Sequence, residues 1–590
     1  MSGVSAECVR WHNSRRTYGF GKTKNYGGFN GLGQQTPLAA RPPGRARMST
    51  AANSSGQKPR SMLRGVLSFG GMTMFSRVFG LVRDQVFNTT FGTTWMTDAF
   101  WVAFRIPNFM RRLFAEGSFS TAFVPVFTEV KETRSHAELR ALMARTAGTL
   151  GGILLLVTAL GMIFAPQLAA GFTQADPAPG QDQLITDLLR LTFPFLLFVS
   201  LTALAAGALN SFQRFGWPAF TPIILNLCMI AGALWGSKFT HPPIMAMGWA
   251  ILAAGILQLL FQLPQLAQLD LLVLPRWGWQ HPDIRRVMKL MVPTLLGSSV
   301  AQVNLLFDTF IAAMLVHGSQ SWLSTADRFL EFPLGVFGIA LGTVILPTLS
   351  RHHVNTDRAG FSKSLDWGLR TTLIIILPAT LGLMLLSLPL VATIFQYGKF
   401  TPEAAKMTAL SVFGLSFGLP AFALVKTVLP AFYARQDTKT PVRAGLVAMV
   451  ANMLFNVGML ALLYQLWVPA AAKTGGVMET LASVPGLHFA LGVASAMSSY
   501  LNLLLLWRWL RKANVFDLQP GWSSFLLRAT LANAAMAAAV LYGLHLAPEF
   551  TQVDKWQRIG WLAVLVGGGA LTYALAMLVL GFRPRDFREH

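Results

Sequence analysis

An all-α polytopic membrane protein is the fold class this 590-residue sequence predicts, and three observations carry it. Hydrophobic residues make up 53% of the chain and charged residues 12%, with a mean hydropathy of +0.49. That charged share is about half the usual one for a soluble domain. Apolar stretches recur at lengths near the ~20 residues a helix needs to cross a bilayer. The 52 glycines and 31 prolines are spread through those stretches, as in helices that bend and pack closely. A soluble globular enzyme is excluded, and the alternating segments of ~10 residues that mark a membrane β-barrel do not occur. Cys8 and Cys228 are far apart and form no CxxC pair, so disulfide and zinc frameworks drop out.

In chain order, fourteen candidate spans lie near 64–88, 97–128, 145–171, 184–211, 218–238, 245–271, 284–316, 322–350, 362–397, 402–433, 441–466, 485–510, 522–547 and 556–581. Each is closed by polar residues, Pro or Gly. Before them, residues 1–60 hold ten Lys/Arg against Glu7 alone, a separate charge of +9 within the total of +23. This Gly/Ser/Arg-rich stretch has no apolar core of a signal peptide and reads as a disordered basic tail. An over-extended start, with Met48 or Met62 as the alternative first residue, is the expectation; an authentic arm and an organellar transit peptide are the other readings.

Loop charges set an orientation. The even-numbered connections and the C-terminus carry twenty-one Lys/Arg, among them Arg134, Arg286, Arg358, Arg443 and Lys512, against six in the odd-numbered ones. Both termini are therefore expected on the cytoplasmic side. Proline spacing reveals an internal repeat: Pro125 matches Pro347 at 222 residues, and Pro166 with Pro389 and Pro218 with Pro441 match at 223. The expected organisation is an N-lobe of six helices (62–275), a C-lobe of six (284–515), and a last helix pair with a cytoplasmic C-terminus (520–590). Such a repeat, with a site at the lobe interface, is a transporter architecture rather than that of a membrane-anchored enzyme.

The anomaly is ionisable residues inside the first two spans: Arg77, Arg83, Asp84, Asp98, Arg105, Arg111, Arg112 and Glu116. A charge placed centrally costs about 2.5–3.5 kcal/mol on insertion scales, so exposure of the whole group to lipid is untenable. Arg77 and Asp84 are seven apart, as are Asp98, Arg105 and Arg112, so each set returns to one helix face after two turns; Pro107 interrupts the second set. In the second lobe the counterparts are Asp327, Arg328 and Glu331, with Asp308 before them and Lys426 after. A cavity lined by guanidinium groups from both lobes suits an anion such as phosphate or diphosphate, bound through bidentate charge-assisted hydrogen bonds. The plainer reading is that Arg83 beside Asp84 and Arg112 near Glu116 are ion pairs that only fix packing, and that Arg111 and Arg112 snorkel. Arg190 and Arg370, near span ends, are expected to snorkel, and Lys426 suits either role.

Other motifs carry little. His352-His353 has no ligand pattern around it, the "GGFNGLG" run follows no strand, and Asn88-Thr89-Thr90 fits a glycosylation sequon, which would mean nothing if the protein were bacterial. There is no Walker A, HExxH or GxSxG sequence, so no catalytic residue and no metal site is assigned, and no nucleic-acid partner is expected.

At "MTMFSRVFGLVRDQVFNTTFGTTWMTDAFWVAFRIPNFMRRLFAEGSFSTAFVPVF" (72–127) the chain resembles the MurJ/MviN family of bacterial lipid II flippases, part of a superfamily with the MATE multidrug exporters and polysaccharide flippases. Further matching blocks are "LLRLTFPFLLFVSL", "ADRFLEFPLGVFGIALGTVILPTLS", "QYGKFT", "YARQDTKTPV" and "GWSSFLLR", so the resemblance runs from about Met62 to the C-terminus. It implies fourteen helices, two lobes around a central cavity, and a last helix pair that forms a groove for a polyprenyl tail. By motif, the substrate-binding arginines fall on Arg77, Arg83, Arg111 and Arg328. Asp84 and Asp98 match acidic positions, and Arg112, Glu116, Asp327 and Glu331 are the supporting cavity charges. The implied substrate is lipid II, the implied location the bacterial inner membrane, and the implied action alternating access without catalysis. No cofactor is implied; a coupling ion or the membrane potential remains the open energy source, and membrane lipids and other cell-wall synthesis proteins the open partners. The rival readings are a cation-coupled drug exporter and a flippase for another polyprenyl-diphosphate saccharide.

Overall fold

The computed structural model describes residues 77–112, 118–173, 177–470, 473 and 476–582. The basic tail, Met48, Met62, Glu116 and the arginines beyond position 582 lie outside the described residues.

Helices follow one another with short links. They are α1 (77–91), α2 (Trp95–Arg111), α3 (Ser118–Thr133), α4 (His136–Ile163), α5 (Ala165–Ala170), α6 (Gln181–Ser211), α7 (Gly216–Leu234), α8 (Met245–Ala267) and α9 (Pro282–Ala313). After these come α10 (Ser319–Val354), α11 (Arg358–Leu385), α12 (Ser387–Phe395), α13 (Pro402–Ser416), α14 (Leu419–Tyr433), α15 (Lys439–Leu466), α16 (Val477–Ser483), α17 (Phe489–Lys512), α18 (Trp522–Leu546) and α19 (Lys555–Val579). Among the described residues there is no strand.

Within the described residues, which include only 77–88 of the first expected segment, each of the fourteen falls on a helix or a helix pair. The splits have local causes. A break at Phe164 precedes Pro166 in the first turn of α5, and its counterpart at Leu386 precedes Pro389 of α12, because proline has no N–H to continue the ladder. Helices α13 and α14 meet at a bend of 42°, with Pro420 in the first turn of α14. Nine of the described helices are long and apolar enough to cross a membrane, ten if this bent pair is one span. Helices α1, α2, α3, α9 and α10 are not among them; α1 and α2 carry the described ionisable residues of the first two spans, and α9 and α10 carry Asp308, Asp327, Arg328 and Glu331.

The repeat extends beyond the prolines. Helices α4 and α11 each have 28 residues and begin 222 positions apart, as do α5 and α12. Left-handed turns recur too, at Gln213 (φ 60) and Gln436 (φ 59), and again at Asp270 (φ 53) and Asn514 (φ 51). The wider spacing of the second pair reflects the insertion that contains α16.

Packing sorts by chain segment. One aromatic-rich cluster joins Phe87, Phe100 and Trp101 to Leu188 and Phe193 of α6 and Met247 of α8. A second packs Phe123 and Phe127 of α3 on Leu142, Leu204 and the first turns of α9, through Ile284, Val287 and Met291. The last turns of α9, at Ile311 and Ala312, instead join Leu487 and Leu491. A further core holds α10, α11, α14 and α17 together through Leu349, Leu365, Val428 and Leu506. Helices α18 and α19 rest on Leu386 and Ala392. Two arginines pin that pair: Arg558, almost buried, donates to the carbonyls of Val553, Ala392 and Gln396 at 3.0–3.2 Å, and Arg370 lies 2.7 Å from Asp366 and over the rings of Trp522 and Phe525. Arg370, expected to snorkel, also donates to the carbonyls of Gln519 (3.3 Å) and Pro520 (3.0 Å) in the loop before α18.

Candidate substrate-binding site

Helix α1 places Arg83 and Asp84 side by side, both less than 10% exposed. Arg83 grips one carboxylate oxygen through Nε (2.8 Å) and Nη2 (2.6 Å), and its remaining Nη1 donates to Asn226 Oδ1 of α7 at 3.0 Å. The other oxygen of Asp84 lies 2.7 Å from Nε of Arg328 on α10, and Arg328 Nη1 lies 2.9 Å from Glu331 one turn on. One carboxylate therefore bridges guanidinium groups from the two halves of the repeat. Arg77, two turns before Asp84, donates to the carbonyl of Glu331 at 3.1 Å. It reaches that position because residue 335 is glycine: a Cβ there would land on the Arg77 guanidinium. With Lys426 of α14 in electrostatic reach of Arg77 and Glu331, the group of Arg77, Arg83, Asp84, Arg328, Glu331 and Lys426 carries a net +2. Arg77 spends a single one of its five N–H donors within the described residues, and that leaves a fork for an incoming anion.

The α2 stripe faces α9 and α10 as the seven-residue spacing requires. Arg105 donates to Thr309 (2.8 Å) and Ser324 (2.9 Å) and sits 3.9 Å from Asp327, while Arg112 is within electrostatic reach of Asp327. Arg111 donates to Asn108 on its own helix at 2.9 Å. Asp308 of α9 accepts from Asn456 (2.6 Å) and Asn452 (3.0 Å), which lie one turn apart on α15. Asp98 does something different from the other charges. Its carboxylate accepts from the amides of Gly318 (2.5 Å) and Ser321 (2.9 Å) and from the Ser321 hydroxyl (2.6 Å), so α2 caps the N-terminus of α10 from across the repeat.

Further contacts between the halves join the same end. Trp322 Nε1 donates to Thr93 at 3.1 Å, Asn88 Nδ2 to Thr325 at 3.3 Å, and the Lys399 amide to the Thr89 carbonyl at 2.9 Å. Asn88 is buried in this contact, so the sequon has no accessible acceptor. His352 pairs with Asp357 at 2.8 Å, and Arg190 lies 3.5 Å from the Met162 carbonyl.

Sequence reasoning found the charges and missed their neutral partners. Asn226, Thr309, Ser321 and Ser324 have no pattern that separates them from other polar residues in apolar runs. Asn452 and Asn456 do leave a signal, two carboxamides at i, i+4 in an otherwise apolar span.

The family profile described as "Lipid II flippase MurJ" matches residues 87–556. The "Probable lipid II flippase MurJ" of Vibrio cholerae serotype O1 is 40% identical over 537 residues, covering 90% of this chain and 98% of that protein. Among solved structures, "Lipid II flippase MurJ, inward closed conformation" superposes with a TM-score of 0.70 at 24% identity, over 87% of this chain and 98% of its own. An inward-facing multidrug resistance MATE family transporter of the MOP superfamily superposes with a TM-score of 0.58 at 10% identity, over 76% and 98%, which speaks for the fold alone. A profile match across most of the chain, together with near end-to-end similarity to a curated relative, places this multi-span membrane protein in the MurJ family of lipid II flippases.

Proposed function

We propose that this chain moves lipid II, the undecaprenyl-diphosphate-linked peptidoglycan precursor, from the inner to the outer leaflet of the bacterial cytoplasmic membrane by alternating access. The observation that carries the reading is the Arg83–Asp84–Arg328 bridge with Arg77 beside it. Guanidinium groups from both halves of the repeat converge on one net-positive site, so a diphosphate that entered it would be held by both halves at once. Arg77 and Arg328 contact the diphosphate in this reading, and Arg83 and Asp84 keep Arg328 aimed. Arg111, with Arg112, lines the path to the site, and Asp327 and Arg105 fix α2 against α10.

The two lobes are residues 62–275 and 284–515, with α18 and α19 as the remaining pair, and all fourteen segments cross the membrane. The separate cores on either side of α9, and the recurrence of α4–α5 as α11–α12, support that division. The termini face the cytoplasm, so the end latched by Asp98 is the outer one and must open to release the headgroup. No bond in the substrate is made or broken; the work is binding and re-orientation. The membrane potential assists export of an anion by about 2.3 kcal/mol per charge per 100 mV.

Growth of a bacterium depleted of its own lipid II flippase tests this. The wild-type gene supports growth, and Arg77→Ala and Arg328→Ala copies, present in the membrane at normal amounts, do not. Normal growth on the Arg77→Ala/Arg328→Ala double variant contradicts the site.

A further inference from the structure

We infer that a second anion site, separate from the central one, lies at the basic end of α14, α15 and α17 and takes the phosphate group of an anionic phospholipid headgroup. A pocket of about 330 Å³ opens there, bordered by Arg435, Asp437, Thr440, Arg443, Trp509 and Lys512. Arg435, Arg443 and Lys512 make no ion pair within the described residues, and Arg435 Nη1 is buried with no hydrogen-bond partner, a state that costs free energy unless a ligand fills it. The one acid at the rim does not neutralise them. Both oxygens of Asp437 are engaged by Thr440, through its amide (3.0 Å) and its hydroxyl (2.6 Å), in capping α15. Burial opposes charging of Asp437, but those bonds and the nearby Arg435 hold its carboxyl below the ordinary carboxylate value, so it stays ionised. The pocket is therefore net positive by two.

The other half of the repeat supplies an internal control. By the spacing of the left-handed turns, Arg214 occupies the place of Asp437, and Gln265 and Gln268 those of Trp509 and Lys512. There Arg214 Nη1 is satisfied by Gln265 and Gln268, each at 2.9 Å. One half closes this corner with its own side chains, and the other leaves three cations around an opening. The position favours a lipid. The pocket sits where the apolar surface of the helices ends, with Tyr433 and Trp509 beside it and Leu504 exposed two turns back on α17. Basic pockets at the cytoplasmic ends of membrane helices are suited to anionic headgroups.

The test is thermal melting of the full-length protein in phosphatidylcholine nanodiscs, with phosphatidylglycerol added in steps, beside a parallel titration with inorganic phosphate. For the wild type, Tm rises with phosphatidylglycerol. The Arg435→Gln/Arg443→Gln/Lys512→Gln variant, with unchanged Tm in phosphatidylcholine alone, needs about a hundredfold more of it or fails to respond, given ~1 kcal/mol for each of the three cations near an anionic surface. Arg214→Gln responds as the wild type does. A matching rise with millimolar phosphate alone, lost in the triple variant, keeps the pocket but makes its ligand soluble and overturns the lipid assignment. An equal response of the triple variant and the wild type to phosphatidylglycerol overturns the site itself.

Discussion

Asp84 is the residue on which the site balances, because its two oxygens answer two arginines from different helices. Removal of one partner from a buried pair costs about 3–5 kcal/mol, since the remaining charge loses its counter-ion. Asp84→Ala is therefore expected to lower Tm and membrane abundance sharply, while Asp84→Asn, which keeps the shape, falls between; melting of the two purified variants checks this. Gly335→Ala makes a sharper prediction. The added methyl displaces Arg77 without touching its charge, so growth support falls as in Arg77→Ala while abundance is kept; unaltered growth shows that the placement of Arg77 on α10 is unimportant. At this scale the charges were legible in sequence, since ionisable residues in an apolar run are costly and stand out. Their pairing was not, because Asp84 adjoins Arg83 in sequence and nothing local reveals that its second oxygen belongs to Arg328, 244 positions on. Asn226, which completes the Arg83 shell, gave no signal at all.

Helix ends hold the elements in place. Asp98 caps α10 from α2, and this cap latches the end that the functional reading places outside. Asp98→Ala, in a Cys228→Ser background that also carries Ser324→Cys, is expected to raise labelling of the new thiol by an impermeant reagent several-fold; equal labelling removes Asp98 from the latch. Asp357 caps α11 through the Gly360 amide and also pairs with His352, and these bonds hold its carboxyl below the ordinary value. A depressed folded-state pKa contributes stability that is present above the unfolded value and lost as pH falls through the folded one. The Tm gap between wild type and Asp357→Ala is therefore expected to persist near pH ~6 and to close at pH values below about 3.9. Element positions were largely legible from apolar length and from Pro at breaks: the α4–α5 and α11–α12 breaks each fell inside a single expected span, although α4 and α11 begin earlier, at His136 and Arg358, than the spans did. Helix α16 was missed because its seven residues are too few for a periodic signal.

For the whole molecule, the repeat gives two similar halves, and the proposed site is where their charges meet. The proline offsets made the repeat legible, and the α4–α11 and Gln213–Gln436 correspondences extend it to helix length and turn conformation. The identity of the anion was not legible in physical terms, because a net-positive cavity suits any diphosphate; similarity to the MurJ family supplies lipid II. The most direct test is the leaflet in which lipid II resides in cells depleted of their own flippase and carrying this gene, read with an impermeant enzyme that cleaves only outward-facing lipid II. The expected result is that cleavage is restored by the wild-type gene and not by Arg77→Ala or Arg328→Ala, with total lipid II raised in the variants. Outward-facing lipid II that stays at the depleted level with the wild-type protein present in the membrane contradicts the account.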